Sequence, residues 1–360
     1  MASSKEQIQK EVMEELEKVF ETTDFGPLKW AFGAAIQQDL EDGTVTINQE
    51  EFTMGTAILL RSYMLNINDA GTNSDSPQAE TKDVGTTDLD CRTMLDRVKW
   101  LSLLSRPDLT YTSALMHQHA KEQIVSVPDW IKISDDLLRT AGATLVYRRD
   151  VGSLTRLRHN IEENSTMKYN TLPNHRILAF SSSATGVERP VEKQTAGYVI
   201  MLGDTPIDWR TYRSSMTPLS ISQREYVAAS LATVATLEVR NIANFLEIPD
   251  TGPVTIFCDN QTAVKLTANS SSKTMISTAT HLAFLREQVR SKLVLLKYIK
   301  KGGQVAYIFN QPLGAYHHIF RRILVEDPGQ DEESTEDEEM REIDNRSNSL
   351  TQGVPIDGTP

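Results

Sequence analysis

Pro253-Val254-Thr255-Ile256-Phe257-Cys258, followed by Asp259-Asn260-Gln261-Thr262-Ala263, is the stretch on which the fold turns. The run from Pro253 to Cys258 has the apolar character and length of a central strand covered on both faces. A helix is expected after Asp259. A carboxylate therefore stands at the carboxyl end of a buried strand and at the start of a helix, where open α/β sheets hold their ligands. Two readings of Asp259 are open: it caps the next helix, or it serves a site.

Working outward, Ile177–Ser182, Thr195–Leu202 and Ile207–Tyr212 read as three strands joined by short turns, the second turn being Gly203-Asp204-Thr205-Pro206. Ser220 or Ser222 caps a long helix that runs to about Phe245. Glu225 lies in the first turns of that helix and, taken alone, reads as a solvated glutamate. Beyond Asp259 the pattern predicts a helix from about Thr280 to Ser291, a strand Leu293–Ile299, a break at Gly302-Gly303 and a final short helix. Three strands followed by alternating helices and strands imply an α/β fold, a mixed sheet with helices on both faces.

The first half is mainly helical in pattern. Ile8, Val12, Leu16, Val19 and Phe20 share one face of an amphipathic helix, which Asp24-Phe25-Gly26-Pro27 ends. Leu28–Ile36 reads as one extended segment, Glu41-Asp42-Gly43 as a turn and Thr44–Ile47 as a strand. Asn48 caps a helix over Gln49–Tyr63 with Phe52, Ile58, Leu59 and Tyr63 as its buried stripe, and Asn66–Asp88 reads as a loop. Helices are expected at Arg92–Leu104 and Leu109–Lys121, divided by Arg106-Pro107-Asp108, where proline suits a helix start and Asp108 a cap. A further helix follows Pro128 and ends at Gly142, before a strand at Thr144–Tyr147. The expected organisation is 1–150, a polar and basic connector at 151–175, the α/β unit at 176–325 and a disordered acidic tail at 326–360.

Composition narrows the functional classes. The chain has 360 residues, 39% hydrophobic and 24% charged, and no apolar run approaches the roughly 18 residues of a membrane span. No membrane partner is expected. The two cysteines, Cys91 and Cys258, lie far apart, so neither a disulfide framework nor a zinc cluster is read from them; both are taken as small buried hydrophobes. An intracellular location, cytoplasmic or nuclear, is the expectation. Of the 49 acids behind the net charge of -12, twelve lie from Glu326 onward, where Arg341 and Arg346 are the only bases; the remaining body carries -2. The acidity thus belongs to a tail too charged to fold alone, a solubilising extension or an acidic docking segment with Ser334 and Thr335 open to phosphorylation.

Several stretches resemble the C-terminal part of the Pol polyprotein of copia-type LTR retrotransposons, from about Ile8 to Leu324. In the first half these are Leu28-Lys29-Trp30-Ala31-Phe32-Gly33, Gly43-Thr44-Val45-Thr46-Ile47-Asn48-Gln49-Glu50 and Ser105-Arg106-Pro107-Asp108-Leu109. In the second they are Thr195-Ala196-Gly197-Tyr198-Val199, Pro206-Ile207-Asp208-Trp209, Glu225-Tyr226, Cys258-Asp259-Asn260-Gln261-Thr262-Ala263 and Arg286-Glu287. The resemblance implies a reverse-transcriptase thumb and connection followed by a ribonuclease H-like domain. It further implies cleavage of the RNA strand of an RNA–DNA hybrid with two Mg2+ ions held by four acids. Carried over position by position, the second and third acids are Glu225 and Asp259, while Ser182 and Tyr307 stand where the first and fourth should be.

A serine hydroxyl is a neutral, poor magnesium ligand, and a tyrosine is bulky and protonated near neutral pH. The expectation is therefore a remnant whose magnesium affinity and turnover have fallen by orders of magnitude, with weak hybrid cleavage as an alternative. Glu188 or Asp204 could stand in for a missing acid, but both sit in or near turns away from the expected cluster. The paired aspartates of a polymerase would precede the matched stretch; Asp135-Asp136 falls in a helical pattern with Ser134 as a possible cap. A third reading is a non-catalytic module for RNA–DNA hybrid or single-stranded nucleic acid. Its phosphate-binding candidates are Arg148, Arg149, Lys297, Lys300 and Lys301, with Arg156, Arg158 and Lys292 nearby in sequence and Tyr147 and Tyr298 interleaved. The plain reading of these bases is a solvated surface. His317-His318 has no partner set at metal-ligand spacing and reads as a surface feature.

Overall fold

The computed structural model describes residues 6–23, 26–72, 89–122, 126–148, 177–185, 194–213, 220–248, 252–268, 276–312 and 317–326. The basic connector, Glu188, Arg149 and the acidic residues after Glu326 lie outside the described residues.

The first half opens with helix α1 (Glu6–Glu17) and contains a four-stranded antiparallel sheet, β1 (Trp30–Ala31), β2 (Ala34–Asp39), β3 (Thr44–Asn48) and β4 (Leu145–Arg148), in that order. The single extended segment expected over Leu28–Ile36 is instead a hairpin. Ala31 pairs with Ala34 around Phe32 and Gly33, whose φ values are 55° and 76°. Positive φ at both central residues matches a tight turn to the twist of the strands it joins. Phenylalanine carries no turn signal, which is why the sequence pattern hides the reversal.

Four helices pack beside this sheet: α2 (Glu50–Thr72), α3 (Leu89–Leu104), α4 (Thr110–Lys121) and α5 (Val127–Arg139). Asn48 caps α2, its Oδ1 accepting the Glu50 N–H at 2.7 Å. The helix runs past Tyr63 into the stretch expected as a loop. Its stripe is also rotated: Ile58 and Leu59 are 59% and 45% exposed, while Ala57, Leu60 and Met64 pack against Cys91, Leu95, Val98, Trp130 and Leu137. Thr53 and Thr56 can join the buried side because their hydroxyls donate back to the Gln49 and Phe52 carbonyls, at 2.8 and 2.7 Å. Ser134 is no cap; it lies inside α5 with its hydroxyl on the Ala57 carbonyl at 2.8 Å, and Ser126 caps that helix instead.

The second half holds a five-stranded sheet in the order β7-β6-β5-β8-β9, built from β5 (Ile177–Thr185), β6 (Gln194–Leu202), β7 (Thr205–Arg213), β8 (Val254–Cys258) and β9 (Val294–Tyr298). The first three strands are antiparallel, and β8 and β9 run parallel to β5. Parallel neighbours need crossovers, supplied by α6 (Ile221–Phe245) before β8 and by α7 (Gln261–Ala268) and α8 (Ile276–Arg290) after it. All five residues of β8 are buried, as the apolar run requires. Strand alternation sends Ile177, Ala179, Ile200, Ile256 and Cys258 toward α6 and α8, and Leu178, Phe180, Val199, Met201 and Phe257 to the opposite face. There they meet a 3-10 segment, Val305–Phe309, and helix α9 (His317–Leu324).

That second face also takes up Ala143 and Leu145 from the first half, so the two halves share a core. Polar contacts close the same joint. Thr144 and Glu326 form a two-bonded bridge at 2.8 and 2.9 Å, the Trp209 indole donates to the Ser102 carbonyl at 2.7 Å, and Thr205 Oγ1 donates to the Val146 carbonyl at 2.7 Å. Asp108, expected as a helix cap, is buried here between two guanidinium groups. Arg106 binds both its oxygens at 2.9 and 2.7 Å, and Arg321 reaches Oδ2 at 3.0 Å and Asp136 at 2.6 Å. Burial alone would raise the Asp108 pKa, but Arg106 and Arg321 together hold it far below the usual carboxylate range. His317 is no surface feature: its ring lies against the Asp108 carbonyl at 3.2 Å and Arg321 at 3.0 Å.

Candidate active site at the carboxyl ends of the central strands

β5 and β8 end side by side, and the local sequence aims four groups at that end. On β8 the cap question resolves in favour of Asn260, whose Oδ1 accepts the Ala263 N–H at 2.8 Å and so starts α7. Asp259 is thereby free of the capping role. On α6, the Ser220 hydroxyl accepts the Gln223 N–H at 3.2 Å and fixes the helix start, which puts Glu225 against the sheet. Glu225 is 3% exposed, not solvated.

From the far side, Gln304 pins the 3-10 segment to β5. Its Nε2 donates to the Ser181 carbonyl at 3.1 Å while its Oε1 accepts the Ala306 N–H at 3.2 Å. Thr211 adds a bond to the Phe309 carbonyl at 2.6 Å. Tyr307 is thus held with its hydroxyl donating to Asp259 Oδ2 at 2.5 Å. Ser182, 1% exposed, is two residues beyond Phe180, the partner of Phe257 in the parallel register; carrying that register forward sets it beside Asp259 on the same face.

Each carboxylate has one oxygen held and one turned inward. Glu225 Oε1 accepts from the Ser183 N–H at 3.0 Å and the Ser183 hydroxyl at 2.8 Å, while Oε2 faces Cys258 Sγ at 3.8 Å. Asp259 Oδ2 belongs to Tyr307, and Oδ1 is buried without a hydrogen-bond partner among the described residues; so is the Ser182 hydroxyl. Burial, and then the neighbouring Asp259 charge, push the Glu225 pKa well up despite the Ser183 bonds. Burial likewise raises Asp259, against the Tyr307 hydrogen bond and the Lys301 charge. Burial and the Asp259 contact raise the Tyr307 phenol, which stays protonated and donates. Cys258 is raised by burial and by both carboxylates.

Of the residues singled out from sequence, Glu225, Asp259, Ser182 and Tyr307 converge on this cleft. Ser183 and Cys258 were missed as members; Cys258 read as a buried hydrophobe, and only the packing of α6 on β8 shows its sulfur facing Glu225. Lys301 lies near enough to Asp259 to lower its pKa, and Lys300 beside it is exposed. Lys297 is half-buried on β9. Arg148 is ion-paired with Glu326 at 2.5 Å. Asp204 sits at the opposite end of the sheet from Ser182, as the β6–β7 turn dictates. Asp135 pairs with Arg61, and Asp136 with Arg139 at 2.7 Å and Arg321 at 2.6 Å, so neither faces a cleft of its own.

A pair of hard magnesium ions does not match this donor set. Mg2+ demands oxygen ligands in near-octahedral geometry, and two such ions need several anionic carboxylates to offset them. Among the described residues two carboxylates share this site with a thiol, and a phenol donates into one oxygen of Asp259, leaving its other oxygen as the remaining acceptor. Among the described residues Glu225, Cys258 and Asp259 are the one group whose ligating atoms gather, all within 4.8 Å of one another.

No family model matches the chain. In sequence it is similar to the retrovirus-related Pol polyprotein from transposon RE2 of Arabidopsis thaliana, with 27% identity over 164 residues, 44% of this chain and 11% of that protein. Against the retrovirus-related Pol polyprotein from transposon RE1 of the same plant, identity is 28% over 150 residues, 41% of this chain and 10% of that protein. The chain thus matches about a tenth of the length of these relatives. Among solved structures it is similar to the N-terminal RNase H domain of rv2228c from Mycobacterium tuberculosis, solved as a fusion with maltose-binding protein. That overlap has 6% identity and a TM-score of 0.29 and covers 36% of this chain and 86% of that one. The chain is thus similar in sequence, over less than half of its own length, to two retrovirus-related Pol polyproteins of Arabidopsis transposons, and the second half carries a five-stranded mixed sheet with helices on both faces.

Proposed function

We propose that this chain is a remnant of a Pol polyprotein, a thumb and connection region joined to a ribonuclease H-like domain that folds without cleaving nucleic acid. The observation that carries the reading is the Tyr307 hydroxyl seated on Asp259 at 2.5 Å, with a neutral, buried Ser182 near the end of the adjacent strand β5. A donor occupies one oxygen of Asp259, and among the described residues only Glu225 and Asp259 supply anionic oxygen at this end of the sheet. Losing members of one catalytic unit abolishes its function, since each acts only through the shared metal geometry.

The test is incubation of the intact chain with an RNA–DNA hybrid and magnesium or manganese. No cleavage above background is expected, whereas Ser182→Asp together with Tyr307→Asp is expected to gain metal-dependent cleavage. Cleavage by the unaltered chain that disappears in Asp259→Asn would sink the reading. A second reading, a module that grips hybrid or single-stranded nucleic acid, is favoured by the Lys301 charge felt at Asp259 and by the exposed Lys300 next to it in sequence. It requires salt-dependent binding that weakens on charge reversal at both lysines.

A further inference from the structure

We propose that Glu225, Cys258 and Asp259 together hold one thiophilic divalent cation, of the Zn2+ class, in the cleft. This deepens the reading of the same cleft, and the absence of hybrid cleavage stands whether or not such an ion binds. The argument begins with the orientation of the carboxylates. Ser183 fixes Glu225 through Oε1 and Tyr307 fixes Asp259 through Oδ2, which leaves Oε2 and Oδ1 facing inward. Oε2 lies 3.8 Å from the Cys258 sulfur, and Oδ1 is buried with no hydrogen-bond partner among the described residues. Buried polar atoms are nearly always satisfied, so an orphaned carboxylate oxygen marks a missing partner.

On the neighbouring strand β5 the Ser182 hydroxyl, 1% exposed, is also without a partner among the described residues. Two carboxylate oxygens and a sulfur, with a fourth position left to water, suit a four-coordinate cation with bonds of about 2.0–2.3 Å. The three main ligand atoms, within 4.8 Å of one another, need to close by about 1 Å to meet it. The sulfur selects against magnesium and calcium and in favour of zinc or cadmium. As the ion binds, the thiol proton and any proton held by Glu225 or Asp259 leave to solvent, and the +2 charge meets two carboxylates and one thiolate. Ser183 and Tyr307 then act as outer supports that orient the ligands.

The experiment uses the intact, metal-stripped chain titrated with Cd2+ and then Zn2+, reading the ultraviolet charge-transfer band of a cadmium–thiolate bond. One equivalent is expected to saturate the band, Zn2+ to abolish it by displacement, and a large excess of Mg2+ to leave it. Cys258→Ser is expected to remove the band and Cys91→Ser to keep it, since Cys91 is buried among the helices of the first half. Tyr307→Phe should weaken binding by about 10–100-fold, and Glu225→Gln by more than that. In case Cys258→Ser does not fold, the melting temperature of the unaltered chain is expected to rise with Zn2+ concentration and not with Mg2+. No band at one equivalent, a band that survives in Cys258→Ser, or ready displacement by Mg2+ overturns the proposal. Hybrid cleavage with magnesium would instead overturn the non-cleaving reading and leave the band to be judged separately.

Discussion

At Tyr307 the consequences of one side chain can be followed through charge. Its hydroxyl is the side-chain donor to Asp259 Oδ2, so Tyr307→Phe leaves a buried carboxylate with both oxygens lacking a side-chain donor. A loss of about 1–3 kcal/mol is expected in urea denaturation, with the Asp259 pKa moving further up. The pH dependence has a definite sign. Glu225 and Asp259 carry folded-state pKa values above those of the unfolded chain, so each favours the folded state while protonated. That contribution is complete below the unfolded carboxylate pKa and is lost as pH rises through the folded one. Glu225→Gln, which keeps a neutral side chain of the same shape, is expected to flatten the decline in stability as pH rises above the ordinary carboxylate range. Unfolding curves with the same pH slope in variant and parent would refute it.

Among the elements, Gly197 on β6 shows how closely the 3-10 segment lies against the sheet. A methyl group there would stand 2.4 Å from Phe309 Cβ and 2.9 Å from its carbonyl carbon. Gly197→Ala is therefore expected to cost about 1–3 kcal/mol by overpacking and to disturb the seat of Tyr307, seen as a lower denaturation midpoint. Several elements were legible in the sequence. The β8 run, the Ser220 cap of α6 and the βββ start all rest on local patterns, and the cleft position of Asp259 follows from the strand end. The hairpin at Phe32-Gly33 was not legible because its turn lacks polar turn residues, and the end of α2 was not because Asn, Asp and Gly have weak helix preference. The Cys258–Glu225 contact needed the placement of α6 across β8, which no spacing rule supplies. Ser182 and Tyr307 were legible only through family resemblance, since neither residue type signals a site.

Across the whole molecule, the joint around Asp108 binds the two halves through residues 213 positions apart in sequence. Asp108→Ala would remove the carboxylate shared by the Arg106 and Arg321 guanidinium groups, both nearly inaccessible to water, leaving Arg106 the hydroxyl and carbonyl acceptors on Thr140, and is expected to cost about 3–5 kcal/mol in chemical denaturation. Asp108→Asn, which keeps the shape, should cost less; equal losses in the two variants would argue against the charge. Local patterning gave Asp108 a capping role because its second guanidinium partner belongs to α9, a distant part of the chain. The bridge between Thr144 and Glu326, with Leu145 set among Phe180, Phe320 and Leu324, has a further bearing on biosynthesis. Strand β4 emerges from the ribosome long before α9, so the leading portion must wait, with Ala143 and Leu145 unprotected, until residue 326 is outside the exit tunnel. During that interval a chaperone that recognises short apolar segments would find β4 available, and a stall in translation before α9 would prolong its exposure.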